Sequence, residues 1–278
     1  MSLDVLKKLD GPVVLVGAGK MGGALLDGWL ALGVDPARLV VLDPNLPADA
    51  AAALAAKGVS ANPAYDTIPS AAVLILAVKP QVAPAVIASV RGIVGPHSVV
   101  VSIMAGRTLG FLQEAFPRGT AVVRTIPNTP AAIGQGITVA VANGGVSADA
   151  REATAALLGA VGPVEWVEDE ALIDAATAVS GSGPAYVFLL AEALAQAGAA
   201  IGLPADLADR LARATVSGSG ALLAQSGIAP ATLRQNVTSP GGTTAAALAV
   251  LMDGATGFGP LLAKAVAEAD RRSRELAG

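Results

Sequence analysis

Cysteine is missing altogether from these 278 residues, and histidine occurs once, as His97. Without cysteine there is no disulfide and no thiolate nucleophile, which agrees with a reducing, cytoplasmic setting. No metal site is expected. Basic charge is not in excess: 18 Lys and Arg stand against 22 Asp and Glu, so there is no electrostatic footprint for nucleic acid, and no such partner is expected. Long unbroken apolar runs are also lacking, although the mean hydropathy is +0.61. That value comes largely from alanine. Ala175–Ala191 is interrupted by Gly181, Gly183 and Pro184, and Ala214–Leu233 by Gly218, Gly220, Gly227 and Pro230. Neither reads as a membrane span, and the opening Met1–Leu9 is too charged for a secretory signal. So much alanine with only 3% aromatics points to close helix–helix packing, often across a subunit interface.

What is present has two periods. From Pro12 to about Val167, short Val/Ile/Leu runs alternate with helical stretches, the pattern of a parallel sheet covered on both faces. Strands are expected at Val13–Val16, Leu39–Leu42, Val73–Val78, Val99–Ser102, Ala121–Thr125, Thr138–Val141 and Val164–Val167. Beyond Glu168 the chain reads as helices only, over Glu168–Val179, Ala185–Ile201, Ala205–Gln225, Ala231–Gln235, Thr243–Met252 and Phe258–Leu276. The fold class is α/β followed by an all-helical part. The boundary is placed where the period changes, giving domains 1–166 and 167–278.

Gly17, Ala18, Gly19, Lys20, Met21 and Gly22 follow the first apolar strand and open a helix, the context a dinucleotide fingerprint requires. Gly17 makes the tight turn, Gly19 admits a pyrophosphate, and Gly22 lets the helix lie against the strand. Asp43 ends the second strand about 20 residues further on, where an acid binds the adenosine ribose hydroxyls. Its charge would repel a 2′-phosphate, and no Arg follows in Pro44-Asn45-Leu46-Pro47, which leans towards NADH; Asn45 and nearby backbone groups can still cradle a phosphate. Ala77, Val78, Lys79 and Pro80 leave a later strand at the ligand-binding edge, so Lys79 either reaches the cofactor, faces the substrate, or is a solvated strand-end lysine. The loops with Ala105 and Gly106, and with Asn128 and Thr129, leave strands at the same edge. Asn128 or Thr129 can fix the nicotinamide end, or serve as a turn former.

At the other end, Ser239-Pro240-Gly241-Gly242-Thr243-Thr244 precedes a helical run. The leading N–H groups of a helix lack intrahelical partners and sit at the positive end of its dipole, which suits a carboxylate. Gly241 and Gly242 permit close backbone approach, and Ser239, Thr243 and Thr244 offer hydroxyls.

Taken together, Gly17–Gly22, Ala77-Val78-Lys79-Pro80, Pro127-Asn128-Thr129-Pro130, Ser180-Gly181-Ser182-Gly183-Pro184-Ala185-Tyr186 and Ser239–Thr244 resemble pyrroline-5-carboxylate reductase, in order and over nearly the whole chain. The resemblance implies NADPH- or NADH-dependent reduction of 1-pyrroline-5-carboxylate to L-proline, the last step of proline synthesis. It implies an N-terminal Rossmann-like, mostly parallel sheet, a C-terminal all-helical dimerisation domain, and homodimers that assemble into rings such as homodecamers. It assigns Gly17–Gly22 and Ala77–Pro80 to the cofactor and Ser239–Thr244 to the substrate, whose carboxylate sits on the amides of Gly242 and Thr243 with the Thr244 hydroxyl near the ring nitrogen. Asp43 departs from NADPH-preferring members, which commonly have a small or hydroxyl residue there.

The ionisable inventory fits an imine better than a ketone. With no His or Cys in the expected site, only Lys79 is available to protonate an alkoxide. An imine is basic enough to enter protonated, and its reduction yields a neutral amine, so orientation and a hydrogen bond matter more than a strong acid. Two other readings compete. A β-hydroxyacid dehydrogenase type relies on a lysine in the helical domain, and none occurs between Glu168 and Met252. A catalytically silent nucleotide-binding protein would have no use for an intact Ser239–Thr244.

Overall fold

The computed structural model describes residues 4–277; Met1–Leu3, part of the segment read above as too charged for a secretory signal, lies outside them. The described elements are α1 (Asp4–Lys7), β1 (Val13–Val16), α2 (Lys20–Ala31), β2 (Leu39–Leu42), α3 (Ala48–Ala56), β3 (Ser60–Ala61), β4 (Ala71–Leu76), α4 (Ala83–Val90), β5 (Val94–Ser102), α5 (Leu109–Ala115), β6 (Ala121–Ile126), β7 (Thr138–Ala142), α6 (Ala148–Leu158), β8 (Val164–Trp166), α7 (Leu172–Ala176), α8 (Gly183–Ala200), α9 (Ala205–Ser226), α10 (Pro230–Asn236), α11 (Thr243–Leu251) and α12 (Phe258–Ala277). A π-turn, Thr177–Gly181, follows α7.

The strands form one sheet in the order β3-β2-β1-β4-β5-β6-β7-β8, parallel except for the antiparallel β6–β7 pair. Its strands are covered on both faces, so β1 and β4 are buried at every position. Period two divides the core: Val13 and Leu15 join Trp29, Ile75 and Leu157 on one face, while Val14 and Val16 join Leu74, Ile87 and Leu112 on the other. Trp29 satisfies its indole by donating to the Leu157 carbonyl at 2.8 Å. Arg38 binds α1 to the sheet by donating to the carbonyls of Leu6, Lys7, Leu9 and Gly11.

Two compact units divide between Gly181 and Ser182, and the segment from Asp270 returns to the first unit. Several boundaries differ from the sequence reading. β4 starts at Ala71 and ends at Leu76, which frees Ala77 and Val78 for the loop. β5 begins at Val94 rather than at the expected Val99 and takes in Gly95-Pro96-His97; a register shift between Ala71 and Val73 accommodates the proline. The expected helix Glu168–Val179 starts only at Leu172, after a turn in which Asp169 Oδ1 accepts from Ala171 N at 2.9 Å. Gly181, Gly183 and Pro184 do not break the following helical run. The π-turn absorbs the first, and Pro184 stands in the first turn of α8, where its missing N–H costs nothing.

The run Leu172–Ala200 is therefore long and apolar enough to cross a membrane by length and composition, and 6% of its most apolar window is buried within the chain. In the second unit α8 packs on α9. Phe188, Leu189, Leu222, Val250 and Leu261 remain more than half exposed, so this unit does not bury its own apolar surface.

Candidate active site

The carboxyl ends of β1, β2 and β4 converge on one cleft of about 570 Å³, lined among others by Gly17, Gly19, Asp43, Asn45, Ala77, Val78 and Lys79. Seven of the expected cofactor residues thus meet in space. Ala18, Lys20, Met21, Gly22 and Pro80 adjoin them in sequence. Ala105, Gly106, Asn128 and Thr129 stand on neighbouring loops and do not line this cleft.

The glycines divide their work as their surroundings dictate. Gly17 has φ +94, and its Cβ position lies 2.8 Å from the Ala77 carbonyl. Gly22 would place a Cβ 2.1 Å from the Gly17 carbonyl, whereas a Cβ on Gly19 meets nothing within 4 Å. Gly19 is thus spared a side chain on the open side of the turn, which fits a pyrophosphate drawn close to the backbone. It is also the N-cap of α2 and supplies no side-chain cap, so the leading amides of that helix face the cleft side uncapped.

Asp43 is tied down on both carboxylate oxygens. Oδ2 accepts from Ala18 N at 2.8 Å and Oδ1 from Asn45 N at 2.9 Å. Asn62, the one non-glycine residue with positive φ among those described, brackets the Asp43 backbone: its Oδ1 accepts from Asp43 N and its Nδ2 donates to Asp43 O, both at 2.8 Å. A fixed negative charge therefore stands at the cleft mouth, and Lys79, exposed, is the sole cation lining the cleft. The sequence reading missed Tyr65, Val82, Ala85, Val86 and Ser89, which line its far wall. Asn128 Oδ1 accepts from Ile137 N at 2.9 Å, which closes its own loop.

In the helical unit, Ser239–Gly242 forms a Pro-Gly turn. Gly241 has φ +69, and Gly242 N donates to the Ser239 carbonyl at 3.0 Å. Gly242 is then the N-cap of α11, extended at ψ 172 and without a side-chain cap, and Thr243 and Thr244 are its first residues. At the far end, hydrogen bonds from the Thr256 N–H and hydroxyl and from Ala255 N–H hold the Asp253 carboxyl below its ordinary range and close the turn into α12.

A parallel doubly covered sheet with this glycine turn, acidic strand end and cleft defines a nicotinamide-dinucleotide oxidoreductase. Residues 12–106 match the family model described as NADP oxidoreductase coenzyme F420-dependent, and residues 170–276 the model described as pyrroline-5-carboxylate reductase dimerisation. The chain is 41% identical over 267 residues to the pyrroline-5-carboxylate reductase of Pseudomonas aeruginosa, with 95% of this chain and 96% of that one covered. The solved pyrroline-5-carboxylate reductase of Coxiella burnetii superposes with a TM-score of 0.88 at 33% identity, covering 96% of this chain and 99% of that one. The Plasmodium falciparum pyrroline carboxylate reductase, solved with NADP bound, gives 0.80 at 26% identity, covering 97% and 99%. The chain belongs to the pyrroline-5-carboxylate reductase family.

Proposed function

We propose that this chain reduces the cyclic imine 1-pyrroline-5-carboxylate to L-proline, the closing step of proline synthesis, with residues 1–166 holding the coenzyme and residues 167–278 binding substrate and dimerising. The start of α11 carries the substrate reading. A Pro-Gly turn leaves amides uncapped at a helix N-terminus, and hydroxyls stand beside them. The Gly242 N–H, expected on the carboxylate, is instead spent on the Ser239 carbonyl, so the leading amides from Thr243 onward hold the carboxylate, with Ser239, Gly241 and Gly242 shaping the turn, and the Thr244 hydroxyl hydrogen-bonds the ring nitrogen. Reduced nicotinamide supplies the hydride when bound. The imine enters protonated, so no side chain has to deliver a proton to an oxyanion, and Lys79 contributes charge at the coenzyme edge. Adding pyrroline-5-carboxylate to the purified protein with NADH and with NADPH, and following loss of nicotinamide absorbance, tests this. Coenzyme that binds and is not oxidised would overturn it.

Thr244→Ala removes the hydrogen bond to a charged nitrogen. It is expected to cost about 1–3 kcal/mol of transition-state stabilisation, read as a drop in kcat/KM for the imine. Unchanged kcat/KM would take Thr244 out of the reaction.

The coenzyme preference follows from Asp43, which favours NADH over NADPH by setting a fixed carboxylate where a 2′-phosphate would lie. Asp43→Asn removes the charge at equal size, at the cost of one of the two acceptors that serve Ala18 N and Asn45 N, so the readout is the ratio of the two coenzymes and not activity alone. The NADH:NADPH ratio of kcat/KM is expected to fall on the order of tenfold. A ratio that does not move assigns discrimination elsewhere.

The exposed apolar faces of α8 and α9 are assigned to a second copy of the chain rather than to a membrane, a reading supported by the dimerisation model that matches this region. The homodimer is the unit, larger rings such as a homodecamer are built from it, and the protein works in the cytoplasm. A monomer in sedimentation at micromolar concentration would contradict the dimer.

A further inference from the structure

The last turns of α12, from Asp270, belong to the sheet-bearing unit, and there they meet the loop that leaves β5. Gly106 in that loop has φ +69, and its Cβ position lies 2.8 Å from the Leu276 carbonyl oxygen. One helical turn before Leu276, Ser273 is 7% exposed and donates to Asp174 Oδ1 at 2.7 Å. Asp174 lies 3.7 Å from Nη2 of Arg124, whose Nη1 meets Glu170 Oε1 at 2.8 Å. The same Glu170 oxygen accepts from Leu109 N at 2.7 Å, at the start of α5, where the loop ends. Loop 103–108 is therefore backed by α12 at Gly106 and pinned at its exit. Arg107 in between donates to the Pro80 carbonyl at 2.6 Å, joining it to the loop that carries Lys79.

We propose that the C-terminal turns of α12 are a positioning element of the coenzyme site: Ser273 fixes them on Asp174, and they in turn set the height of loop 103–108 through Leu276 and Gly106. The inference rests on the proposed coenzyme site and on the expectation from the sequence that Ala105 and Gly106, at the same sheet edge, belong to it, although they stand beside the cleft and do not line it. A loop at the carboxyl edge of a sheet has little packing of its own, and displacement by about 1 Å is enough to degrade a bound geometry. None of these residues touches the reacting atoms, so the effect belongs in coenzyme affinity.

Ser273→Ala is expected to raise the KM for reduced coenzyme about three- to tenfold, with kcat and the imine KM within about twofold of wild type, and Ser273→Thr to restore it by returning the hydroxyl. A lowered melting temperature with an unchanged coenzyme KM would overturn the proposal, since Ser273 would then only hold the fold. Should Ser273→Ala fail to fold, Gly106→Ala is compared in the full chain and in one ending at Glu275. The coenzyme KM defect is expected to shrink when the opposing Leu276 carbonyl is gone, and equal defects overturn the proposal. Wild-type protein that neither binds nor oxidises NADH or NADPH would instead overturn the coenzyme reading itself.

Discussion

Gly22→Ala is expected to lower kcat/KM for reduced coenzyme by about a hundredfold or more. The added Cβ would stand 2.1 Å from the Gly17 carbonyl and 3.2 Å from the Ala77 Cβ, so something has to move. Neither neighbour is free to do so. Gly17 N donates to the Leu42 carbonyl at 2.9 Å, and Ala77 N to the Val16 carbonyl at 2.8 Å, which holds both inside the sheet. Nor can α2 retreat, because further along it a Cβ at Gly28 would already lie 3.0 Å from the Ala160 carbonyl. The turn must therefore open, and the α2 amides lose their aim at the phosphates. Gly19→Ala is the control: its Cβ meets no protein atom within 4 Å, so the melting temperature should stay put while coenzyme affinity falls. Coenzyme titration and thermal melting of both variants separate a spoiled turn from a blocked phosphate. Wild-type coenzyme KM in Gly22→Ala would show that the helix yields after all.

The same turn shows why part of the site was legible in the sequence. The strand, glycines and helix of β1–α2 are contiguous, and each glycine has a local steric reason, so spacing alone carries the reading. The α11 start is legible for the same reason, since the Pro-Gly turn and helix onset adjoin. The far wall of the cleft is different. Tyr65, Val86 and Ser89 share the cleft with Gly17 because β1 pairs with β4 on the side away from β2, and no local pattern states that order. β3 is two residues long, too short to show a period. Gly95-Pro96-His97 reads as a loop because glycine and proline weaken strands, yet a bulge keeps it in β5. Arg124 is the plainest omission. It reads as one polar residue within an apolar strand, and its partners Glu170 and Asp174 lie in a segment that only the fold brings close.

Arg124→Met is expected to cost about 3–5 kcal/mol of stability, the effect of removing one partner from a buried ionic cluster. The guanidinium is 3% exposed and its Nε has no hydrogen-bond partner, so burial already costs free energy that only the two carboxylates offset. Methionine fills much of the volume, but it leaves Asp174, 8% exposed, with the Ser273 hydroxyl on its Oδ1, and leaves Glu170 with Leu109 N–H. For a domain of this size the loss corresponds to a melting temperature lower by on the order of 10 °C. The comparison has to be made at one protein concentration, because association contributes to the apparent stability of a dimer. Arg124→Lys keeps the charge but not the fork that serves two carboxylates, and should fall between. Adding Asp174→Asn to Arg124→Met should recover part of the loss, since the uncompensated charge and not the missing methylenes is the larger cost. If Arg124→Met melts within about 2 °C of wild type, the cluster is not what fastens β6, α7 and the end of α12 together.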